Sequence, residues 1–349
     1  MKEFKIENKT VGEKHPVFII AEAGVNHNGD INMAKELIRK AKTCGADCVK
    51  FQTFKAERIV TKNSPKAAYQ LKTTNPNESQ LDMLKKLELS KKDYDELIKT
   101  CREEDIIFLS TPYNIEDINF LEDLGVQAYK VASGQAVEPY FLEHMASKNK
   151  PVLLSTGMCT LAEVDEAICA IRKTGNEKLV LFQCTTNYPS ALEDTNLRAM
   201  NTMRNTFDVL VGYSDHTESL TAATAAASLG ASIIERHFTL DKSLPGPDQS
   251  SSSDPLEFTR LVCNIREVEK CLGSAVKIPG PAELKNAAAM RRSIIAKQNI
   301  PAGTLFTIDN LTFKRPASGL LANRLSDILG RKAAKDIMTE TIIDHGMIQ

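Results

Sequence analysis

The sequence predicts an α/β protein built on an eight-stranded (β/α)8 barrel, followed by a small, mostly β domain. Three observations carry this. Short, near-continuous apolar runs recur along the chain: "VFIIAEAG", "CVKFQTF", "IIFLSTP", "AYKVASG", "PVLLSTG", "LVLFQCT", "VLVGYSD" and "SIIERHF". Between them lie stretches with helical spacing, such as "NMAKELIRKAKTCGA", "KDYDELIKTCREED" and "LAEVDEAICAIRKTG". Strands buried on both faces read as such unbroken runs, and their alternation with amphipathic helices implies a parallel sheet. Eight units in about 270 residues match a closed barrel in number and length. An open doubly wound sheet is the structural alternative, but neither GxGxxG nor GxxxxGK occurs.

The pattern changes near "AVKIPGPAELKNAAAMRRS", where Pro279, Gly280 and Pro281 are expected to break the last barrel helix. The expected division is a barrel over 1–278, a linker over 279–292 and a β-rich domain over 293–349. A core of that last size is marginal alone and is expected to lean on a partner surface.

Composition narrows the function. The chain of 349 residues is 42% hydrophobic and 26% charged, with a net charge of -1. That balance argues against a nucleic-acid binder. No apolar run approaches the roughly 20 residues that cross a bilayer, and the polar start "MKEFKIENKT" is unlike a secretory signal. Eight scattered cysteines without paired CxxC motifs read as free, buried thiols in a reducing cytoplasm.

In a barrel of this kind the active site lies at the C-terminal strand ends. Here those ends are polar: Glu22, Lys50 with Gln52, Ser110 with Thr111, Lys130 with Ser133, Ser155 with Thr156, Thr185, Ser214 with His216, and His237. His216 and His237 end adjacent strands, about 5 Å apart, so both imidazoles could share one metal at about 2 Å. Such a site polarises a carbonyl; two unrelated, hydrogen-bonded histidines are the bland alternative. Lys50 and Lys130, with Ser133, Ser155 and Ser214, suit a phosphate or carboxylate. A Schiff-base lysine, or a lysine snorkelling from the rim, competes with that reading. The Gly-Pro-Asp turn in "HFTLDKSLPGPDQSSS" puts Asp248 on a loop able to cover the site, or on a plain surface turn. His27, in "GVNHNGD", shapes its turn or serves as a ligand.

Taken together, "IIAEAGVNHNGD", "VKFQTFKA", "STP", "STGM", "GYSDHT", "ERHFTLDKSLPGPD" and "FKRPASG" resemble the sialic acid synthase family over essentially the whole chain. The C-terminal part resembles that family's antifreeze-like (SAF) domain. The resemblance implies condensation of phosphoenolpyruvate with N-acetylmannosamine or a related 2-acetamido sugar, assisted by Mn2+ or another divalent ion such as Mg2+ or Co2+. It implies that His216 and His237 hold the metal. It places Lys50, Thr111, Lys130, Ser133, Ser155 and Ser214 around phosphoenolpyruvate, with Gln52, Thr186, Tyr188 and Asp248 in substrate binding and Glu22 in the site. Arg315, in "KRP", would enter the barrel of a partner subunit, which makes a domain-swapped homodimer.

One position departs from the family. Where the family reads Ser-Gly-Glu, this chain reads "ASGQAVE", with Gln135 in place of the acid. An amide cannot act as a base near neutral pH. Glu138 or Glu22 could take over, the preferred sugar could differ, or the protein could be a catalytically impaired sugar- or phosphate-binding protein. An N-acetylneuraminate synthase that works without that acid is the expectation, with an N,N'-diacetyllegionaminate synthase as the near alternative.

Overall fold

A parallel strand buried on both faces places alternate side chains inside and outside the barrel, and this two-residue period positions everything that follows. The structure, a computed structural model, describes residues 2–349, leaving aside the side chains of Tyr69 and Lys72. It divides into two compact units, Met1–Gly273 and Ser274–Gln349.

The first unit opens with an antiparallel hairpin, β1 (Glu3–Ile6) and β2 (Lys9–Gly12), which the sequence reading did not anticipate. The barrel strands follow: β3 (Phe18–Gly24), β4 (Cys48–Thr53), β5 (Ile107–Pro112), β6 (Tyr129–Val131), β7 (Val152–Ser155), β8 (Leu179–Cys184), β9 (Leu210–Asp215) and β10 (Ile233–His237). Each falls within one of the eight apolar runs. Hydrogen bonding links them in the order β5-β4-β3-β10-β9-β8-β7-β6, all parallel. Strands β5 and β6 lie alongside one another without a ladder, which nearly closes the ring.

Inside, the lower layers are apolar: Phe18, Ile20, Cys48, Ile107, Leu109, Leu153, Val180, Phe182 and Ile233 pack with Ile6 and Val11 of the hairpin, which plugs the N-terminal end. Outside, residues such as Ile19, Val49, Phe108, Leu154, Val211 and Ile234 pack against the helices. Those helices bear the marks of local design. Asp30 caps Ile31–Thr43, whose buried Ala34, Leu37, Ile38 and Ala41 form one face. Capping boxes Ser90/Asp93, Thr160/Glu163 and Asp254/Glu257 start Lys91–Glu103, Leu161–Arg172 and Pro255–Leu272.

The last barrel helix stops earlier than expected, at Gly273 with φ 51, a backbone state that suits glycine. Pro281 does not break a helix; it starts one, Pro281–Met290, at a position where its missing N–H costs nothing. The stretch expected to be a linker is therefore largely helical. The second unit then pairs β11 (Ser293–Ala296) with β12 (Leu311–Lys314) over a core that includes Ile294, Ile300, Phe306, Ile337 and Ile343. All eight cysteines are free, but Cys169, Cys263 and Cys271 are exposed rather than buried.

Gly212 shows how tightly the barrel interior is fitted. A Cβ there would stand 2.9 Å from the Ile233 carbonyl oxygen and 3.0 Å from the Phe182 ring. Lys130 Nζ lies 5.4 Å from the centroid of that same ring, a cation–π contact. Gly212→Ala is expected to cost about 1–3 kcal/mol of stability through overpacking. Urea unfolding measures it, and an unchanged midpoint would show that the ring has room to move.

Candidate active site

The top inward layer replaces hydrocarbon with charge. On β10, Ile233, Glu235 and His237 face inward while Ile234 and Arg236 face the helices; on β9, Ser214 faces inward and Asp215 outward. The resulting cavity, about 240 Å3, is lined at its charged end by Glu22, Lys50, Gln52, Thr111, Lys130, Ser133, Ser155, Cys184, Tyr188, Ser214, His216, Glu235, His237 and Asp248.

Two lysines and two carboxylates form its floor. Lys50 Nζ pairs with the Glu22 carboxylate, donates to Thr111 Oγ1 at 3.0 Å and lies 3.7 Å from Glu235 Oε1. Lys130 Nζ donates to Ser155 Oγ at 2.6 Å and lies 3.6 Å from the same Glu235 oxygen, which also accepts from Ser214 Oγ at 3.3 Å. Burial opposes the Lys50 charge, but Glu22 and Glu235 outweigh it and hold its pKa above the ordinary lysine value. For Lys130 burial prevails and the pKa is lowered. Burial pushes Glu22 up to about 7 against the pull of Lys50. Glu235 resists burial because Lys130 and Lys50 flank it, and it stays low. Gln52 Nε2 donates to Glu22 Oε1 at 3.1 Å, and its own oxygen accepts from Tyr113 Oη at 3.1 Å.

The two histidines stand together, ring centroids 5.4 Å apart, with the Tyr188 ring 4.2 Å from His216 and tilted at 40° to it. His216 Nδ1 lies 2.8 Å from the Thr185 carbonyl oxygen, which can only accept, so Nδ1 carries a proton and Nε2 is the atom available to a ligand. Burial disfavours the charged ring, yet Cys184 beside it and the Thr185 carbonyl hold the His216 pKa above the ordinary value. His237 is pushed well below that value by burial and by His216, and its buried Nδ1 has no hydrogen-bond partner. Asp248 Oδ2 is 3.9 Å from that nitrogen. Burial pushes the Asp248 carboxyl up to about 6. The Gly-Pro-Asp turn does cover the site: Asn28 Nδ2 donates to the Pro245 carbonyl at 2.8 Å and Thr73 Oγ1 to that of Pro247 at 3.3 Å.

Behind the histidines, on the outer side, Arg236 NH1 pairs with Asp215 Oδ2. Asp215 Oδ1 accepts from Thr217 N and Oγ1, both at 2.9 Å, and Arg236 donates to Ser253 Oγ at 2.5 Å. The two residues are register partners, so the pair ties together the strand tips that carry His216 and His237.

A buried, partnerless imidazole nitrogen next to a second ring with its Nε2 facing the cavity fits a divalent metal with two protein donors and open positions. Among the described residues no cluster of three or more His, Cys, Asp or Glu is arranged for an ion, so any ion held here would have these two imidazoles as its histidine donors.

Three expected site residues lie elsewhere. Gln135 sits in the 3-10 turn Ser133–Gln135, off the cavity lining, with its buried Oε1 unpaired. Glu138, a possible stand-in, is exposed and also outside the lining. Thr186 is exposed at the rim, where its Oγ1 and Ser133 Oγ crowd Gly157 so closely that no Cβ fits there. Arg315 belongs to the second unit, exposed, with Nε donating to the Met290 carbonyl at 3.0 Å. His27 is no ligand candidate here; its Nδ1 accepts from Gly29 N at 3.0 Å and shapes the turn. Sequence reasoning missed Glu235. The clue was present: an acid inside an apolar run, two residues before a site histidine, must share its face.

Comparison with known proteins shows the family. Residues 37–277 match the NeuB family and residues 291–349 the SAF domain. N,N'-diacetyllegionaminic acid synthase of Campylobacter jejuni is 44% identical over 93% of this chain and 98% of its own. Human N-acetylneuraminate-9-phosphate synthase is 36% identical over 96% and 95%. The crystal structure of N-acetylneuraminic acid synthetase from Leptospira borgpetersenii, in complex with citrate, is 31% identical and superposes with a TM-score of 0.74 over 82% of this chain and 95% of that one. The chain belongs to the NeuB family of sialic, legionaminic and pseudaminic acid synthases.

Proposed function

We propose that the protein condenses phosphoenolpyruvate with an N-acetylated mannose-type sugar, adding water and releasing phosphate, to give a nonulosonic acid. The observation that carries this reading is the pair of buried lysines, Lys50 and Lys130, facing two imidazoles across one cavity. A dianionic phosphate and a carboxylate call for the lysines with Thr111, Ser133, Ser155 and Ser214 around them. Gln52, Tyr188 and Asp248 face the sugar. In the reaction C3 of phosphoenolpyruvate bonds to the aldehyde carbon, water adds at C2, and phosphate leaves by C–O cleavage. His216 and His237 would hold a divalent ion such as Mn2+, which when bound polarises the aldehyde. Glu22, with its carboxyl near 7, can give or take a proton at neutrality. Glu235 stays ionised and holds both ammonium groups in place. Gln135 need not be a base, because these carboxyl groups face the cavity and Gln135 does not.

A homodimer in which Arg315 enters the partner's barrel belongs to the same proposal. It is supported by the exposure of Arg315 and by the helix Pro281–Met290, which buries none of its residues. No helix among the described residues is long and apolar enough to cross a membrane. Eight free cysteines suit a reducing compartment such as the cytoplasm.

Phosphate release from phosphoenolpyruvate, dependent on an N-acetylated mannose and on Mn2+, tests the reaction; silence with every such sugar would refute it. His216→Ala and His237→Ala are each expected to abolish turnover and weaken Mn2+ binding by calorimetry at least about 10-fold, with the unfolding midpoint retained. Wild-type Mn2+ affinity in either variant would remove the pair as ligands.

The floor also predicts proton linkage. With Glu22 and Glu235 both ionised, two positive and two negative charges cancel. An arriving anion then favours protonated Glu22, raising its pKa further from about 7. Phosphoenolpyruvate binding at pH 7.5, measured calorimetrically in buffers of different ionisation enthalpy, is expected to take up protons. Glu22→Gln should lose that uptake, and identical uptake in the variant would place the proton elsewhere.

A further inference from the structure

The hairpin that plugs the barrel has a second cavity beside it. It measures about 290 Å3 and opens near the N-terminal ends of β4 and β5, away from the charged floor. Its own floor is apolar: Cys101, Phe108 and Val126 are buried there, with Ile98 and Leu124 partly buried alongside. Three helices, Ile31–Thr43, Lys91–Glu103 and Ile115–Asp123, end next to it, and each then reverses through a left-handed residue, Gly45, Asp105 or Gly125. Helix C-termini carry partial negative charge and favour a cation nearby.

Most charges on the rim are already paired. Lys9 Nζ lies 3.1 Å from Asp47 Oδ1, and Lys42 Nζ lies 3.2 Å from Asp105 Oδ2. Two are left over. Glu7 sits at the hairpin turn and Arg102 in the last turn of Lys91–Glu103, and both line the cavity. Among the described residues neither side chain makes a hydrogen bond or an ion pair. They sense one another all the same: crowding raises the Glu7 carboxyl above its ordinary value, and the Arg102 guanidinium pulls it back. An acid and a base that share a cavity without meeting leave room for a group carrying both opposite charges.

We infer that this cavity binds a free α-amino acid with an apolar side chain. The ammonium group meets Glu7 and the negative helix ends. The carboxylate meets the forked donors of Arg102, and the side chain lies on the apolar floor, where it gains burial. Glu7 directly follows Ile6, which with Val11 packs into the lower barrel layer, so an occupant also braces the plug. The site is independent of the synthase reaction proposed above.

The test titrates L-leucine, L-methionine and L-phenylalanine into the intact chain by calorimetry. Each is paired with its decarboxylated and its deaminated counterpart, isoamylamine and 4-methylpentanoate in the case of leucine. Expected is a Kd below about 1 mM for at least one amino acid, with both of its one-charge counterparts at least about tenfold weaker. Glu7→Gln and Arg102→Gln should each weaken binding at least about tenfold, unfolding midpoints confirming that both are folded. No binding of any of the three at about 10 mM overturns the site. A one-charge counterpart that binds as tightly overturns the bridging of Glu7 and Arg102. Wild-type affinity in either folded variant places the ligand elsewhere and overturns the inference as well.

Discussion

Four buried charges that neutralise one another set the character of this barrel. Placing Lys50, Lys130, Glu22 and Glu235 inside a protein carries a desolvation penalty of several kcal/mol per ion, and only close pairing with hydrogen bonds to the remaining polar atoms offsets it. Several neighbours in the surrounding layer serve that end. Thr111, Ser155 and Ser214 take up protons and lone pairs that the ion pairs leave over. Gln52 braces Glu22 while being braced by Tyr113. The Phe182 ring, given its space by Gly212, lies beneath the Lys130 ammonium. An anionic substrate thus meets ammonium groups already stripped of water and already aimed, which is where electrostatic preorganisation has its largest effect.

The barrel strands were legible because strands buried on both faces leave an unbroken apolar trace. What that trace hides is which face a polar residue occupies. Strand-end reading found Glu22, Lys50, His216 and His237, since each stands where apolar text gives way. Glu235 lies one pleat deeper, embedded in "IIERHF", and only the two-residue period reveals that it looks inward with His237 while Arg236 looks out. The opening hairpin escaped notice because its strands are short and rich in lysine and glutamate, although Ile6 and Val11 alternate correctly for a plug. Pro281 misled for a related reason: proline ends a helix from within but begins one from its first turn.

Family resemblance located residues along the chain without fixing the side of a turn on which they stand. Gln135 occupies the position of a family acid, yet the 3-10 turn after β6 carries it off the cavity lining. The region between Thr53 and Ser90 was equally opaque. It holds three short helices of four to six residues, below the length at which periodicity is informative. Beside them the buried ammonium of Lys66 gathers carbonyl and carboxylate oxygens from nine and twelve residues along the chain. A side-chain knot of that kind has no periodic pattern to read.

The Asp215–Arg236 pair has a consequence for how the imidazoles meet their ligand. It joins the tips of β9 and β10 from the helix side, at the register position just before the two histidines. The strand positions from which the two rings project are therefore tied to one another by the scaffold. If the two rings hold an ion, as proposed above, it meets a pair of donors whose strands are already tied together, and water and substrate oxygens are left to complete its shell.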